Sequence, residues 1–556
     1  MKKYIIHILT IIFLLTFFAC NDDEFLKEVP KDIYTAGNAY NTPGDIVMTL
    51  TQCYNRVKER FDGSRYYTYM FHGTDAAMSP RQADRQVGYN APTTVTPDNG
   101  RCAEMWNGMY LVIKNANLVI DRVEIVEYPS ESLKNEHIAE AKFFRGFAYR
   151  TLANMYGGVP LVLEVLSEAK KDYVRATREE VYQQAAADLD FASKNLPDID
   201  KVDAPGRVSK AAAYHILSEV YISLKDYDKA IAAANAVINN PNFELMTERF
   251  GRRTDVPETN VFWDLFQKGN VDWQAGNKET IWALQTAYGI PGGGDLSYYS
   301  HGSFKFESTF GAFYWRINDA DGVKAFFGPT TQNGGRPGGY STPLNLEKYT
   351  IWEGNWDNDI RNAPCNIKRE HIVDNPASAY FGQSVNNWKD KTDTLFNNIP
   401  YWTKTTTPND HPAETIQNPE TGAVWASSGS TSKNWQHIRL AETYLLLAEA
   451  YIGKGDQDNA ANAINVVRNR AQAKPVASGD VDIDYILDER LRELYIEEPR
   501  RMTLMRMGKW YERTTKYNPW SGPDKVEQHW ELFPIPAPQI ERNTEADLGQ
   551  NPGYTN

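Results

Sequence analysis

The 556 residues carry 59 basic and 72 acidic side chains, a net charge of −13. That length is ample for a large core and for more than one domain, and the acidic balance argues against nucleic acid or polyanions as main partners. Four cysteines, at positions 20, 53, 102 and 365, make neither a disulfide framework nor a metal-ligand spacing, and leave a Cys53 to Cys102 bridge open.

Lys2 and Lys3 precede an apolar run from Tyr4 to Phe18 and then Ala19-Cys20. The run is short for a spanning helix and has the flanks of a secretory signal, so residues 1–19 are read as a lipoprotein signal peptide and Cys20 as the lipidated residue. Loss of Lys2 and Lys3 takes the net charge from −13 to −15. Residues 20–44, opening with the acidic run Asn21 to Glu24, form a tether.

Residues 45–243 read as a helical scaffold. Apolar residues recur at helical spacing from Asp45 to Arg60, from Glu104 to Val123 and from Leu133 to Tyr156. A fourth helix, Thr177 to Asn195, has Thr177 and Glu180 in capping-box positions. Between the first two helices lies a long loop rich in Gly and Pro, residues 71–101, of the kind usually kept for function. Ala211 to Asn239 aligns with Ile438 to Arg470: Leu217 matches Leu447, Tyr221 matches Tyr451, Ala230 matches Ala460, and Val237 matches Val467. This is the tetratricopeptide pattern, in which small residues on the second helix let the first approach. One such hairpin cannot bury its own apolar face, so further copies must stack on it, and the chain offers about four helix pairs where about three suffice.

Between residues 244 and 435 the helical period is lost among Gly, Pro, Asn, Trp and Tyr, apart from short runs such as Thr280 to Gln285 that read as strands. This stretch is read as an irregular, aromatic-rich lobe packed on the helices. Residues 436–556 return to a tetratricopeptide-like hairpin and a final helix from Ile483 to Glu498, with Arg490, Glu493 and Glu497 expected to pair on its polar side. An extended, proline-rich tail closes the chain. The fold class is therefore mainly α, an α/α superhelix with a large loop-rich lobe.

No G-x-S-x-G, G-x-x-x-x-G-K, G-x-G-x-x-G or H-E-x-x-H signature is present. His215 falls inside a helix hairpin, where packing is expected rather than ligation. Asp480, Asp482 and Asp484 mimic the start of a calcium loop, but Tyr485 occupies the glycine position and Leu491 the position of the bidentate acid. Neither a metal nor a cofactor is expected, and no enzyme activity. What the sequence does offer is aromatic rings in turn-rich segments. Tyr66, Tyr67 and Tyr69 flank the first loop; Tyr288, Tyr314, Trp356 and Trp402 lie in the lobe. A pyranose C–H face stacks on such rings while Arg, Asn and Asp take its hydroxyls. The chosen candidates are Arg81, Tyr89 and Asn90 in the first loop, and Tyr298, Tyr299, Trp315 and Trp352 in the lobe.

Several segments together resemble the SusD/RagB family of nutrient-binding lipoproteins over nearly the full length. They include AEAKFFRGFAYRTLANMYGGVPLV from Ala139, RLAETYLLLAEAY, ERLRELYIEEPRR, LFPIPAPQI and the closing QNPGY; Glu498-Pro499-Arg500 departs from the glycine-containing version usual there. The resemblance implies a lipid-anchored protein on the outer face of the outer membrane. It implies capture of oligosaccharide, handed to a partner SusC-like TonB-dependent transporter by lid closure without chemistry. The alternatives are capture of peptide, as in part of the family, and less favourably a glycoside hydrolase with two carboxylates about 5–10 Å apart or a pure scaffold.

Overall fold

The computed structural model describes residues 39–62, 70–80, 95–290, 293–294, 303–388, 395–425 and 428–555. Its fold is mainly α. Helix α1 (Pro43–Arg60) packs on α2 (Gly100–Arg122), and both touch α3 (Glu131–Tyr156). Pro43 opens α1 where its missing N–H costs nothing, and Asp45 accepts from the Thr42 N–H at 2.8 Å. α4 (Arg178–Asn195) starts at the expected capping box, with Glu180 Oε2 accepting from the Thr177 N–H at 2.7 Å.

Almost every residue of α3 from Ala139 to Tyr156 is buried, because helices surround it. Its arginines are therefore paired inside the protein. Arg145 grips Asp188 of α4 with two bonds of 2.7 and 2.8 Å, and Arg150 grips Glu219 of the following helix, α5 (Lys210–Ser223).

The two copies of the repeat fold alike. α5 turns through Lys225 into α6 (Tyr227–Ile238), capped by Asp226; α7 (Leu440–Gly453) turns through Gly455 into α8 (Gln457–Arg470), capped by Asp456. Ala230, Ala234 and Ala460 are completely buried, and α6 packs directly on α7. Copies distant in sequence are thus neighbours in space, as the repeat pattern requires.

The excursion between them is closed by a two-stranded ladder. β1 (Thr280–Leu284) runs antiparallel to β2 (Trp435–Arg439), with Thr280 opposite Arg439 and Leu284 opposite Trp435, and β2 leads straight into α7. Trp282 of β1 inserts its ring edge-on among Phe143, Phe147 and His437, at 5.5, 5.9 and 4.9 Å between centroids. One apolar core runs from Cys53 in α1 through Trp282, Phe306, Trp352 and Trp402 to Phe533.

One expectation is corrected, and two points that the sequence left open are decided. The polar side of α9 (Ile483–Leu494) does not face water: Arg490, Glu493 and Glu497 are buried and pair with partners from the rest of the molecule. The part of the first loop at 71–80 is buried as well, because its carbonyls are taken by residues 501–518. Cys53 and Cys102 are both buried free thiols rather than a bridged pair, and burial pushes the Cys53 thiol far up. The tail is extended apart from one short helix, Ala537–Arg542. Glu498 accepts from Arg490 Nε at 2.9 Å, and Pro499 caps α10 (Arg500–Arg506). His215 is packed as expected, its Nδ1 2.8 Å from the Thr443 hydroxyl.

Candidate functional site

The FYWR turn at residues 313–316 alternates its side chains between core and surface. Tyr314 points inward: its ring stacks on His371, with 5.6 Å between centroids, and its hydroxyl accepts from the Thr330 N–H at 3.0 Å. Trp315 points the other way and is half-buried, its Nε1 donating to the Pro337 carbonyl at 3.1 Å. Phe313 sets its ring edge-on to Trp315 at 4.6 Å and to Phe396 at 4.9 Å.

Two arginines complete this surface. The Arg316 guanidinium lies 4.9 Å from the Phe313 centroid and 5.6 Å from that of Trp315, and the Arg336 guanidinium 5.9 Å from Trp315. Arg336 is fixed through its backbone, whose N–H donates to Glu307 Oε1 at 2.9 Å, and its Nη1 reaches the Ser428 carbonyl at 3.4 Å. The buried Nε of Arg336 has no hydrogen-bond partner among the described residues, leaving a donor of a fixed cation unused beside the rings. Glycine explains the close approach: a Cβ on Gly335, at φ +76°, would stand 2.1 Å from Glu307 Oε1, and one on Gly339 2.9 Å from the Phe396 carbonyl.

A series of contacts continues from Arg336 through Ser428 to Trp425, which is 48% exposed, and from Trp425 to Thr415. Beside Thr415, Glu414 lines a groove of about 460 Å³ together with Tyr288, Lys433 and Asn434. Tyr288 is exposed there. The Lys433 ammonium donates to the Phe266 and Thr406 carbonyls at 2.5 and 2.8 Å, and burial pushes its pKa down to about 7.

Arg81, Tyr89, Asn90, Tyr298 and Tyr299 lie outside the described residues, as does Cys20. The residues flanking them are described. Ala77 and Met78 pair with Pro343 and Thr342, beside the 336–339 turn, and Phe304 bridges to Thr431. The 70–75 segment that leads to Arg81 is locked: Asp75 accepts two bonds from Arg500, at 2.8 and 2.6 Å, and one from Arg513 at 2.6 Å. Burial works to raise the Asp75 carboxyl, but the two guanidinium groups outweigh it and hold its pKa at about 2.

Trp352 is withdrawn from the candidates. It is 0% exposed, with Nε1 spent on the Glu347 carbonyl at 2.9 Å, so no sugar can reach its face. Tyr314 and Trp402 are buried likewise. Phe313, Arg316, Arg336 and Trp425 were not among the expected residues. A cation next to Trp315 in FYWR and a lone arginine inside Gly-Gly-Arg-Pro-Gly-Gly were the available signals.

Among the described residues no group of His, Cys, Asp and Glu is arranged to hold a metal ion, and no helix is long and apolar enough to cross a membrane. Two family models cover most of the chain: one described as the SusD family matches residues 278–554, and one described as starch-binding associating with the outer membrane matches residues 31–222. The chain belongs to the SusD family. Within this family it is 26% identical to SusD-like protein P2 of Formosa agariphila, over 100% of both chains. Its fold is similar to that of a laminarin-binding SusD-like protein, with a TM-score of 0.67 at 22% identity, over 93% of this chain and 100% of that one. It is also similar to surface glycan-binding protein A from Bacteroides thetaiotaomicron in complex with laminarihexaose, with a TM-score of 0.66 at 18% identity, over 92% of this chain and 100% of that one.

Proposed function

We propose that this SusD-family protein is a cell-surface glycan-capture lipoprotein, anchored to the outer membrane through Cys20, that binds oligosaccharide without chemistry and delivers it to a SusC-like TonB-dependent transporter. The observation that carries the reading is the Phe313–Trp315 ring pair, half-buried and braced by Arg316 and Arg336. Names of the relatives, one laminarin-binding and one in complex with laminarihexaose, support a glycan as the ligand class.

A fixed indole offers a flat face to the C–H side of a pyranose, and guanidinium donors fit hydroxyl acceptors. Arg81, Tyr89, Asn90, Tyr298 and Tyr299 are proposed to add to the same site. Each ring contributes about 0.5–1.5 kcal/mol, which suits a protein that must release what it captures.

The test is affinity electrophoresis of the chain from residue 21 through gels containing laminarin, starch and a panel of acidic polysaccharides. The expected result is retardation by a neutral glycan that is lost in Trp315→Ala. A wild-type protein retarded by none of the polysaccharides sinks the reading.

A further inference from the structure

Another surface of the irregular region holds a tryptophan in water just as firmly. The loop after Trp352 is pinned on both sides: the Asn355 N–H donates to the Trp352 carbonyl at 3.0 Å, and Asn355 Oδ1 accepts from the Lys474 N–H at 3.0 Å. In this loop Trp356 is 44% exposed, and Tyr349 beside it is 48% exposed. Their rings are nearly parallel, 17° apart in plane and 6.3 Å between centroids.

The indole is also braced from its own side of the groove. The Arg369 guanidinium lies 4.5 Å from the Trp356 centroid. Asn362 ties the two together, its Nδ2 donating to the Trp356 carbonyl at 2.8 Å and its Oδ1 accepting from Arg369 Nη2 at 2.6 Å. Arg369 keeps a buried Nε with no hydrogen-bond partner among the described residues. Large rings fixed outward in this way mark a surface that binds something.

Trp356 itself lines a groove of about 670 Å³, together with Asp357, Asn358, Lys368, Glu370 and Gln472 among others. Acids, amides and bases alternate along it, so it favours neither an anion nor a cation. A flat aromatic floor with hydroxyl-matching polar groups of mixed sign is the chemistry of a neutral sugar. This groove has no lining residue in common with the Trp315 surface or with the Tyr288 groove.

We infer that the Tyr349–Trp356 platform is a second, separate binding site for a neutral oligosaccharide, with one pyranose stacked on Trp356, its neighbour against Tyr349, and hydroxyls taken by Asn358, Asp357 and Gln472. The inference rests on the capture reading for its choice of ligand class alone. Two sites on one chain let a long polysaccharide bind bivalently, so that weak individual contacts hold a polymer and still release a short fragment.

The experiment is titration calorimetry of the chain from residue 21 with laminarihexaose and with maltohexaose, beside affinity gels containing laminarin and starch, for the wild type, Trp356→Ala and Trp315→Ala. Two hexasaccharides per wild-type chain and one in each variant are expected, with retardation by the polymer weakened about tenfold or more in Trp356→Ala. Unchanged stoichiometry and retardation in Trp356→Ala, with binding abolished in Trp315→Ala, overturns the second site and leaves the capture reading standing. Binding abolished in Trp356→Ala alone supports this site and overturns the choice of Trp315. If no sugar binds the wild type, both fall. Tyr349→Ala, which leaves the Asn362 and Arg369 bonds in place, repeats the comparison should Trp356→Ala melt early.

Discussion

Trp315 stays accessible because its indole N–H is held by Pro337 and its ring is propped by Phe313, while Trp352 is enclosed completely and anchors the shared core. The two therefore separate binding from stability. Trp352→Ala empties a buried site and should cost about 3–5 kcal/mol, read as a lower guanidinium midpoint; Trp315→Ala should leave that midpoint nearly unmoved while glycan retardation disappears. Asp75 gives a pH-dependent case. Its folded pKa of about 2 lies below the unfolded value of about 3.9, so its contribution is fully present above that value and is lost as pH falls through 3.9 towards 2. Asp75→Asn, with Arg500 and Arg513 left facing a neutral amide, should be destabilised at pH 7 and lose less further stability than the wild type between pH 5 and pH 3 in urea titrations.

At the scale of elements, the α9 helix shows how the irregular region is fastened. Glu493 binds Arg361 of that region at 2.8 Å, and also Arg439 at the end of β2 and Arg470 at the end of α8. Glu489 binds Arg361 at 2.8 Å and Arg468 and Arg492 at 2.7 Å each. Glu279 next to β1 reaches Arg470 at 2.7 Å, and Glu497 takes Arg439 and Lys404, both at 2.6 Å. Burial opposes the charge on Glu493, but Arg470, Arg439 and Arg361 hold its carboxyl well below the usual carboxylate range. Removing one member leaves several buried cations without their counter-charge, which is more damaging than removing an exposed pair. Glu493→Gln should lower unfolding free energy by about 3–5 kcal/mol. A cost within about 1 kcal/mol, as for a surface pair, would show that water reaches the cluster.

For the whole molecule, the large apolar cluster shared by helices and irregular region, together with this ionic seam, predicts that the two unfold together. Heating should give one transition, with far-ultraviolet dichroism, dominated by the helices, and tryptophan fluorescence, weighted to residues 263–435, sharing one midpoint. Two separated midpoints would mean that the regions are independent domains. A unit of this kind holds the Trp315 surface and the Tyr349–Trp356 platform at a fixed separation, which bivalent capture requires.

The sequence by itself determined the helices and their order, because periodicity, caps and the matched repeat are local or pairwise properties of the chain. Thr177 with Glu180, and the alanines at 230 and 460, each specify their own neighbourhood. It also named Trp315 as a candidate ring, and that ring is half-buried rather than enclosed. The tertiary structure decided which rings are open and which charges are inside. Trp315, Trp352 and Trp356 stand in similarly turn-rich surroundings, and only packing with residues remote in sequence buries one, half-buries another and leaves the third in solvent. Arg490, Glu493 and Glu497 read as pairing along one helix face, whereas their partners at 442, 361, 439, 470 and 404 come from elsewhere in the chain. Side-chain exposure in a loop depends on what folds over it, and no local spacing encodes that.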